Sequence, residues 1–379
     1  MRLLINTATT FKGGGVQVAK SFIEECRRFP EHEYIVVLGL NLTAQIDKKN
    51  FPSNFTFFEI PYRPATRVFG FKDPAAFLKK IEKEQKPDVV FTTSGPSYWR
   101  PKVPHLMGYN LPHYIYAESP YFQKISAIQR FKWKLKGSVI KYFVHRDADA
   151  YVVQTDDVNL RLKKWLQTSR AITTVSNTYG QQYNEIEEKA KEMLPEQKEN
   201  EFRFLMLSAY YEHKNLEILN NIIPLIQEDQ HANIQFVTTL PNAIFAEIFT
   251  EKARKNIINV GPVKPDDCPQ LYLETHAVFL PTLLECFSAT YAEAMKMKLP
   301  IVTTNLGFAK TVCGRAALYY DPLSATDAYD KIRELIENKT LYADLLKHAE
   351  QEMVKFNSAS QRAKKYIQLC EHMLGVETV

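Results

Sequence analysis

The sequence predicts an α/β protein made of two doubly wound, parallel-sheet domains. Three observations carry this. Short apolar runs rich in β-branched and aromatic residues alternate with helical segments from end to end. A strongly polar stretch, 181–201, interrupts the alternation about half-way along. The length, 379 residues, also exceeds what one hydrophobic core ordinarily organises.

The first series of strands is expected at Leu3–Thr7, Tyr34–Leu38, Phe55–Ile60, Asp88–Thr92, Pro104–Tyr109, Ala150–Val153 and Ile172–Val175. The second is expected at Phe202–Ser208, Ile234–Val237, Ile257–Val260, Ala277–Leu280, Ile301–Thr303 and Leu318–Tyr320. Domain spans of 1–177 and 201–357 follow, joined by a linker at 178–200 whose charges include Glu185, Glu187, Glu188, Lys189 and Lys191. Residues 358–379 read as a closing helix with Ala359, Ala363, Tyr366, Ile367 and Cys370 on one face.

Composition excludes several classes. The 13 glycines and 20 prolines show no period, which rules out fibrous or low-complexity chains. The five cysteines (Cys26, Cys268, Cys286, Cys313, Cys370) are scattered without a C-x-x-C pair, which argues against a zinc site or a disulfide framework and for a reducing, cytoplasmic setting. Met1–Asn6 reads as a strand rather than a leader, and no run approaches the ~20 apolar residues needed to cross a bilayer. The net charge of +5 comes with no base-reading motif, so nucleic acid is not an expected partner.

Five segments carry chemistry. In Pro281-Thr-Leu-Leu-Glu285-Cys-Phe-Ser-Ala-Thr-Tyr-Ala-Glu293, two carboxylates flank a loop-to-helix junction, with Ser288 read as the N-cap. The free amides of about residues 288–291 and the helix dipole suit phosphate, and the carboxylates suit sugar hydroxyls. Lys12-Gly-Gly-Gly15 follows the first strand and opens a helix over Val16–Arg28, where glycine admits close backbone approach. It is not the dinucleotide fingerprint. Ser208-Ala-Tyr-Tyr-Glu-His213-Lys214-Asn215-Leu216 sets a cation beside a helix start, with Asn215 read as its N-cap. Gly108-Tyr-Asn110-Leu-Pro-His113 trails a strand and holds a histidine able to donate to a hydroxyl. Tyr121–Arg146 interleaves Lys124, Arg130, Lys132, Lys134, Lys136 and Lys141 with Ile128, Phe131, Trp133 and Leu135, a composition suited to anionic membranes or lipid carriers. Asp147-Ala-Asp149 precedes a strand and reads as structural.

The Glu285–Glu293 run resembles the E-x7-E motif of retaining family-4 glycosyltransferases, which have the GT-B fold. The resemblance continues through Lys298-Leu-Pro-Ile-Val302, Asn305-Leu-Gly307, Val312-Cys-Gly314 and Ala317-Leu-Tyr-Tyr-Asp-Pro322, about forty residues in order. It implies two Rossmann-like domains facing a central cleft, with the last helix returning to the first domain. It implies a nucleotide-sugar donor (UDP- or GDP-linked), no metal and no cofactor. The acceptor it implies is a glycan or lipid-linked saccharide in surface polysaccharide synthesis, with peripheral membrane contact. By the same resemblance, Gly14, Gly15, Lys214, Phe287, Ser288, Ala289, Thr290 and Glu293 hold the donor, Glu285 and His113 act at the reaction centre, and Asn110, Lys132, Lys134 and Lys136 belong to the acceptor or membrane side. The sequence departs from the family at Ser208–Tyr210, where an Arg is expected, with His213 or Lys310 as candidate substitutes, and at Cys286 and Ser288, where glycines are usual. A sugar-nucleotide epimerase of the same fold and a non-catalytic sugar-binding relative remain alternative readings.

Overall fold

The computed structural model describes residues 1–10, 13–184, 192–229 and 233–376. Lys12 and the polar-stretch charges Glu185, Glu187, Glu188, Lys189 and Lys191 lie outside the described residues.

The chain forms two compact units. One comprises Met1–Ala117, Ser126–Asn177 and Asn357–Val379, the other Glu118–Ile125 and Thr178–Phe356. The first holds β1 (Arg2–Asn6), β2 (Glu33–Leu38), β3 (Phe55–Glu59), β4 (Val89–Thr92), β5 (His105–Gly108), β6 (Ala150–Val153) and β7 (Ile172–Thr174). These pair in parallel in the order β3-β2-β1-β4-β5-β6-β7. The second holds β8 (Phe202–Met206), β9 (Ile234–Thr238), β10 (Ile257–Asn259), β11 (Ala277–Leu280), β12 (Ile301–Thr304) and β13 (Ala317–Tyr320). Its order is β10-β9-β8-β11-β12-β13, again parallel. Each strand expected from sequence is present, with ends moved by a residue or two. Each sheet is doubly wound and reverses direction of winding once, between β1 and β4 and between β8 and β11. Such reversals open a crevice at the carboxyl ends of the strands, which is where ligands bind in this architecture.

Continuous apolar strands are legible because both faces of a parallel sheet are covered. In the first unit Leu3, Ile5 and Phe91 face one core and Leu4, Val90 and Trp99 the other. In the second, Phe204, Phe236 and Phe279 pack beneath Ile222 and Ile332.

Six helices position the functional segments: α1 (Gly14–Glu25), α2 (Pro112–Ile115), α3 (Tyr121–Lys124), α4 (Ala127–Asp147), α5 (Ala289–Lys296) and α6 (Ala359–Met373). α1 gives way to a 3-10 turn at Cys26–Arg28. α6 starts in a Ser358/Gln361 capping box and returns to the first unit, where the Tyr366 ring lies 5.4 Å from Phe22 and 5.0 Å from Phe91. On the same helix Arg362 is buried and donates to Asn177 and Ser21.

Two segments differ from the domain spans expected from sequence. Glu118–Ile125 groups with the second unit although it lies inside 1–177, and Thr178–Glu201 joins that unit instead of standing apart. Tyr183 and Leu194, at either end of the polar stretch, are buried, so apolar anchors fasten a segment whose average composition is that of a linker.

His105 sits at the first sheet's core with no exposed surface. The Asp147 carbonyl can only accept, so Nδ1 carries the proton at 2.6 Å, and Nε2 accepts from the Thr92 hydroxyl at 2.7 Å. Burial holds its pKa down at about 4. The unfolded chain takes up this proton near pH 6.5 and the native one only near 4, so stability falls as the pH drops through that window. Urea unfolding at pH 7 and pH 5 is expected to show the fall, and His105→Asn to reduce its slope by up to about 1.4 kcal/mol per pH unit.

Candidate active site

In the second unit, β8 and β11 are neighbours, and their carboxyl-end loops carry the two most informative charges. The loop after β8 makes a 3-10 turn at Glu212–Lys214 and reverses at Asn215 (φ 55°, ψ 34°). The loop after β11 carries Glu285. Lys214 Nζ pairs with Glu285 Oε1, both side chains mostly covered, and Thr282 donates to the same oxygen. The main chains join too: Leu283 N donates to the His213 carbonyl at 2.8 Å. His213 is not a cation. Burial first, then the Lys214 charge, holds its pKa at about 4, so in the ligand-free chain it is neutral at pH 7 and adds no charge of the kind an Arg would bring.

α5 begins just beyond Glu285. Its first closing bond runs from Tyr291 N to the Ser288 carbonyl, so the amides of Phe287, Ser288, Ala289 and Thr290 lie ahead of the helical ladder. Ser288 is the N-cap by position, but its side chain makes no capping bond. Asn215 likewise precedes its 3-10 turn without capping it. Its Oδ1 is engaged instead by Lys124.

Glu293 lies one turn further on. Tyr272 donates to its Oε2 at 2.8 Å, and Tyr183 donates to the same carboxylate. Burial raises the Glu293 pKa, opposed by these two bonds and by the Lys214 charge. The Tyr183 and Tyr272 rings meet edge-on, their centroids 5.6 Å apart. Sequence reading missed both tyrosines. Tyr272 sits among ordinary helix residues, and Tyr183 falls in the polar stretch.

Residues 201–338 match the family described as glycosyl transferases group 1. The matched segment takes in all six strands of the second sheet, β8 to β13, and none of the first. Lys214, Glu285, Phe287–Thr290 and Glu293 all lie inside it. No curated protein matches the sequence. Among solved structures, a sucrose-phosphate synthase from Thermosynechococcus elongatus is similar at 13% identity, with 99% of each chain covered and a TM-score of 0.70. WaaG, a glycosyltransferase involved in lipopolysaccharide biosynthesis, is similar at 14% identity over 98% of this chain and 99% of its own, with a TM-score of 0.69. Anabaena HepE in complex with UDP and glucose is similar at 11% identity over 98% and 99%, also at 0.69. These likenesses give the fold, GT-B.

In the first unit the loops at the β1/β4 reversal bring Gly15 beside Asn110. Gly13 takes φ 71° and ψ −158° at the start of α1, a conformation that glycine adopts without strain. Gly14 is open around its Cα, and a Cβ on Gly15 would lie 3.5 Å from Asn110 Nδ2. Asn110, in the loop after β5, accepts from Ser94 at 2.8 Å in the loop after β4. His113 on α2 stacks on Trp133 of α4, with centroids 4.3 Å apart and a 12° interplanar angle. Lys136 lies over the same indole at 5.2 Å.

α4 is apolar on two opposite faces, not amphipathic in the simple sense. Trp133, Gly137, Ile140 and Val144 turn toward the fold, and a Cβ on Gly137 would meet the Tyr114 ring at 3.1 Å. Ile128, Phe131, Leu135 and Tyr142 fall on the far side and are 58–69% exposed. Lys132 and Lys136 flank this stripe on one side, Lys134 and Lys141 on the other. Asp147 and Asp149 are engaged structurally, by Arg146 and Ser97 and by Arg100 and the His105 amide.

Tyr272→Phe removes a donor from a half-buried carboxylate. It is expected to lower stability by about 2 kcal/mol in urea unfolding at pH 7 and to raise the Glu293 pKa further, followed by carboxyl carbon NMR.

Proposed function

We propose that this chain is a retaining, metal-independent glycosyltransferase that moves a sugar from a UDP- or GDP-linked donor to a glycan or lipid-linked acceptor in surface polysaccharide synthesis. The observation that carries the reading is the Lys214–Glu285 pair at the β8/β11 reversal, beside the start of α5. A lysine and a helix N-terminus together supply the positive potential that a divalent cation supplies in other phosphoryl- and glycosyl-leaving sites.

In this reading the 287–290 amides and Lys214 offset the charge on the leaving diphosphate. Glu285 holds hydroxyls of the transferred sugar. Glu293 accepts from the ribose hydroxyls; its two tyrosines use only part of a carboxylate's roughly four acceptor positions. The acceptor oxygen bonds to the anomeric carbon on the face from which the diphosphate departs. The anomeric carbon–phosphate oxygen bond breaks, and the acceptor's proton passes to the leaving phosphate. Gly14 and Gly15, in the first unit, admit a close backbone approach. His113, oriented by Trp133, donates to a sugar hydroxyl, and Asn110 contacts the acceptor.

The exposed stripe of α4, bordered by lysines, suits the headgroup region of an anionic membrane, with Lys132, Lys134 and Lys136 on its phosphates. Among the described residues no helix is long and apolar enough to cross a membrane. Peripheral attachment at the cytoplasmic face fits a lipid-linked acceptor.

Calorimetry with UDP and GDP is expected to show one of them binding equally with and without EDTA, and binding lost in Lys214→Ala. Glu285→Ala is expected to cut turnover by about 10²–10³-fold, and NMR of the product should show the donor's anomeric configuration kept. Separately, Phe131→Asp with Leu135→Asp should abolish sedimentation with phosphatidylglycerol vesicles while leaving nucleotide affinity unchanged.

A further inference from the structure

The loop that carries Lys214 is short of positive charge for the ligand assigned to it. Lys214 is paired with Glu285, Glu212 in the same turn is acidic, and His213 is neutral near pH 7. A nucleoside diphosphate brings at least two negative charges to such a site, and an ion-paired lysine alone leaves them poorly compensated.

A second cation reaches this loop from the first half of the chain. Glu118–Ile125 packs within the second unit, although the residues before and after it belong to the first. It meets the loop at several points. The buried Ser119 hydroxyl donates to the Leu283 carbonyl at 2.6 Å, two residues before Glu285. The Tyr121 hydroxyl donates to Glu212 Oε2 at 3.1 Å, and its ring lies edge-on to His213. Lys124 Nζ donates to Oδ1 of Asn215, a residue only 2% exposed and next to Lys214. These contacts engage Glu212, His213 and Asn215, the residues on either side of Lys214. Lys124 itself remains an exposed residue, and an ammonium has three donors, of which Asn215 takes one.

We propose that Lys124 is the second diphosphate-binding cation of this site, delivered by the 118–125 strap, with Ser119 and Tyr121 as positioning residues for the two loops. The proposal rests on the nucleotide-sugar reading above. It accounts for the absence of an arginine before Lys214: the charge arrives from a segment 90 residues upstream rather than from the loop itself.

Calorimetry on the full chain separates the two levels. The ligands are the nucleoside diphosphate that binds (UDP or GDP) and its monophosphate, and the proteins are wild type, Lys214→Ala, Lys124→Ala and Lys124→Arg. Lys124→Ala is expected to weaken diphosphate binding about tenfold, the worth of one charge-assisted hydrogen bond. Monophosphate binding should change less than about twofold, and Lys124→Arg should restore most of the loss. An equal loss for both ligands would mean that Lys124 only orders the loop, and that overturns the proposal. Unchanged diphosphate binding in Lys124→Ala, with binding lost in Lys214→Ala, overturns it while leaving the donor-site reading intact. If wild type binds neither diphosphate, the donor-site reading fails and this inference fails with it.

Discussion

The Lys214–Glu285 pair exists because β8 and β11 are neighbours at a point where the winding of the sheet reverses. Nothing between residues 214 and 285 in sequence suggests that they touch. The strand order brings their loops side by side, and a main-chain bond from Leu283 to the His213 carbonyl fixes their register. The rest of the site follows from that join. The helix that starts after Glu285 is aimed by β11, and the cation that faces it is aimed by β8. A parallel sheet thus converts two short loops into one electrostatic feature, with the helix dipole added at little cost in side-chain entropy.

Glu293 shows how opposing influences act on one half-buried carboxylate. Desolvation alone would push it toward the neutral form. Two tyrosine hydroxyls and the field of Lys214 oppose that, and they also fix the carboxylate plane. Tyr183 comes from the stretch that composition marks as a linker. A segment that reads as a spacer is therefore fastened by its buried Tyr183 against Tyr272.

α4 illustrates a different economy. A helix apolar on both faces loses the periodic signature of an amphipathic helix, because the two stripes cancel. One stripe is consumed by the fold, where Trp133 also sets the plane of His113. The other is left exposed among the described residues and is edged by lysines, so the same helix links the interior of the first unit to its surroundings.

By itself the sequence determined the secondary elements and the fold class. Apolar runs of strand length and helical spacing are local properties, and Glu285, Phe287–Thr290 and Glu293 lie within one short run whose loop-to-helix character is also local. Lys214 was legible as a cation at the start of a helix after a strand. What only the tertiary structure decided was which groups meet. The pairing of Lys214 with Glu285, the tyrosines on Glu293, the neutrality of His213 and the stacking of His113 on Trp133 depend on strand order and burial, which are non-local. The assignment of Glu118–Ile125 to the second unit is of the same kind. Its composition matches its neighbours, and its destination is set by hydrogen bonds to residues some 90 to 160 positions away.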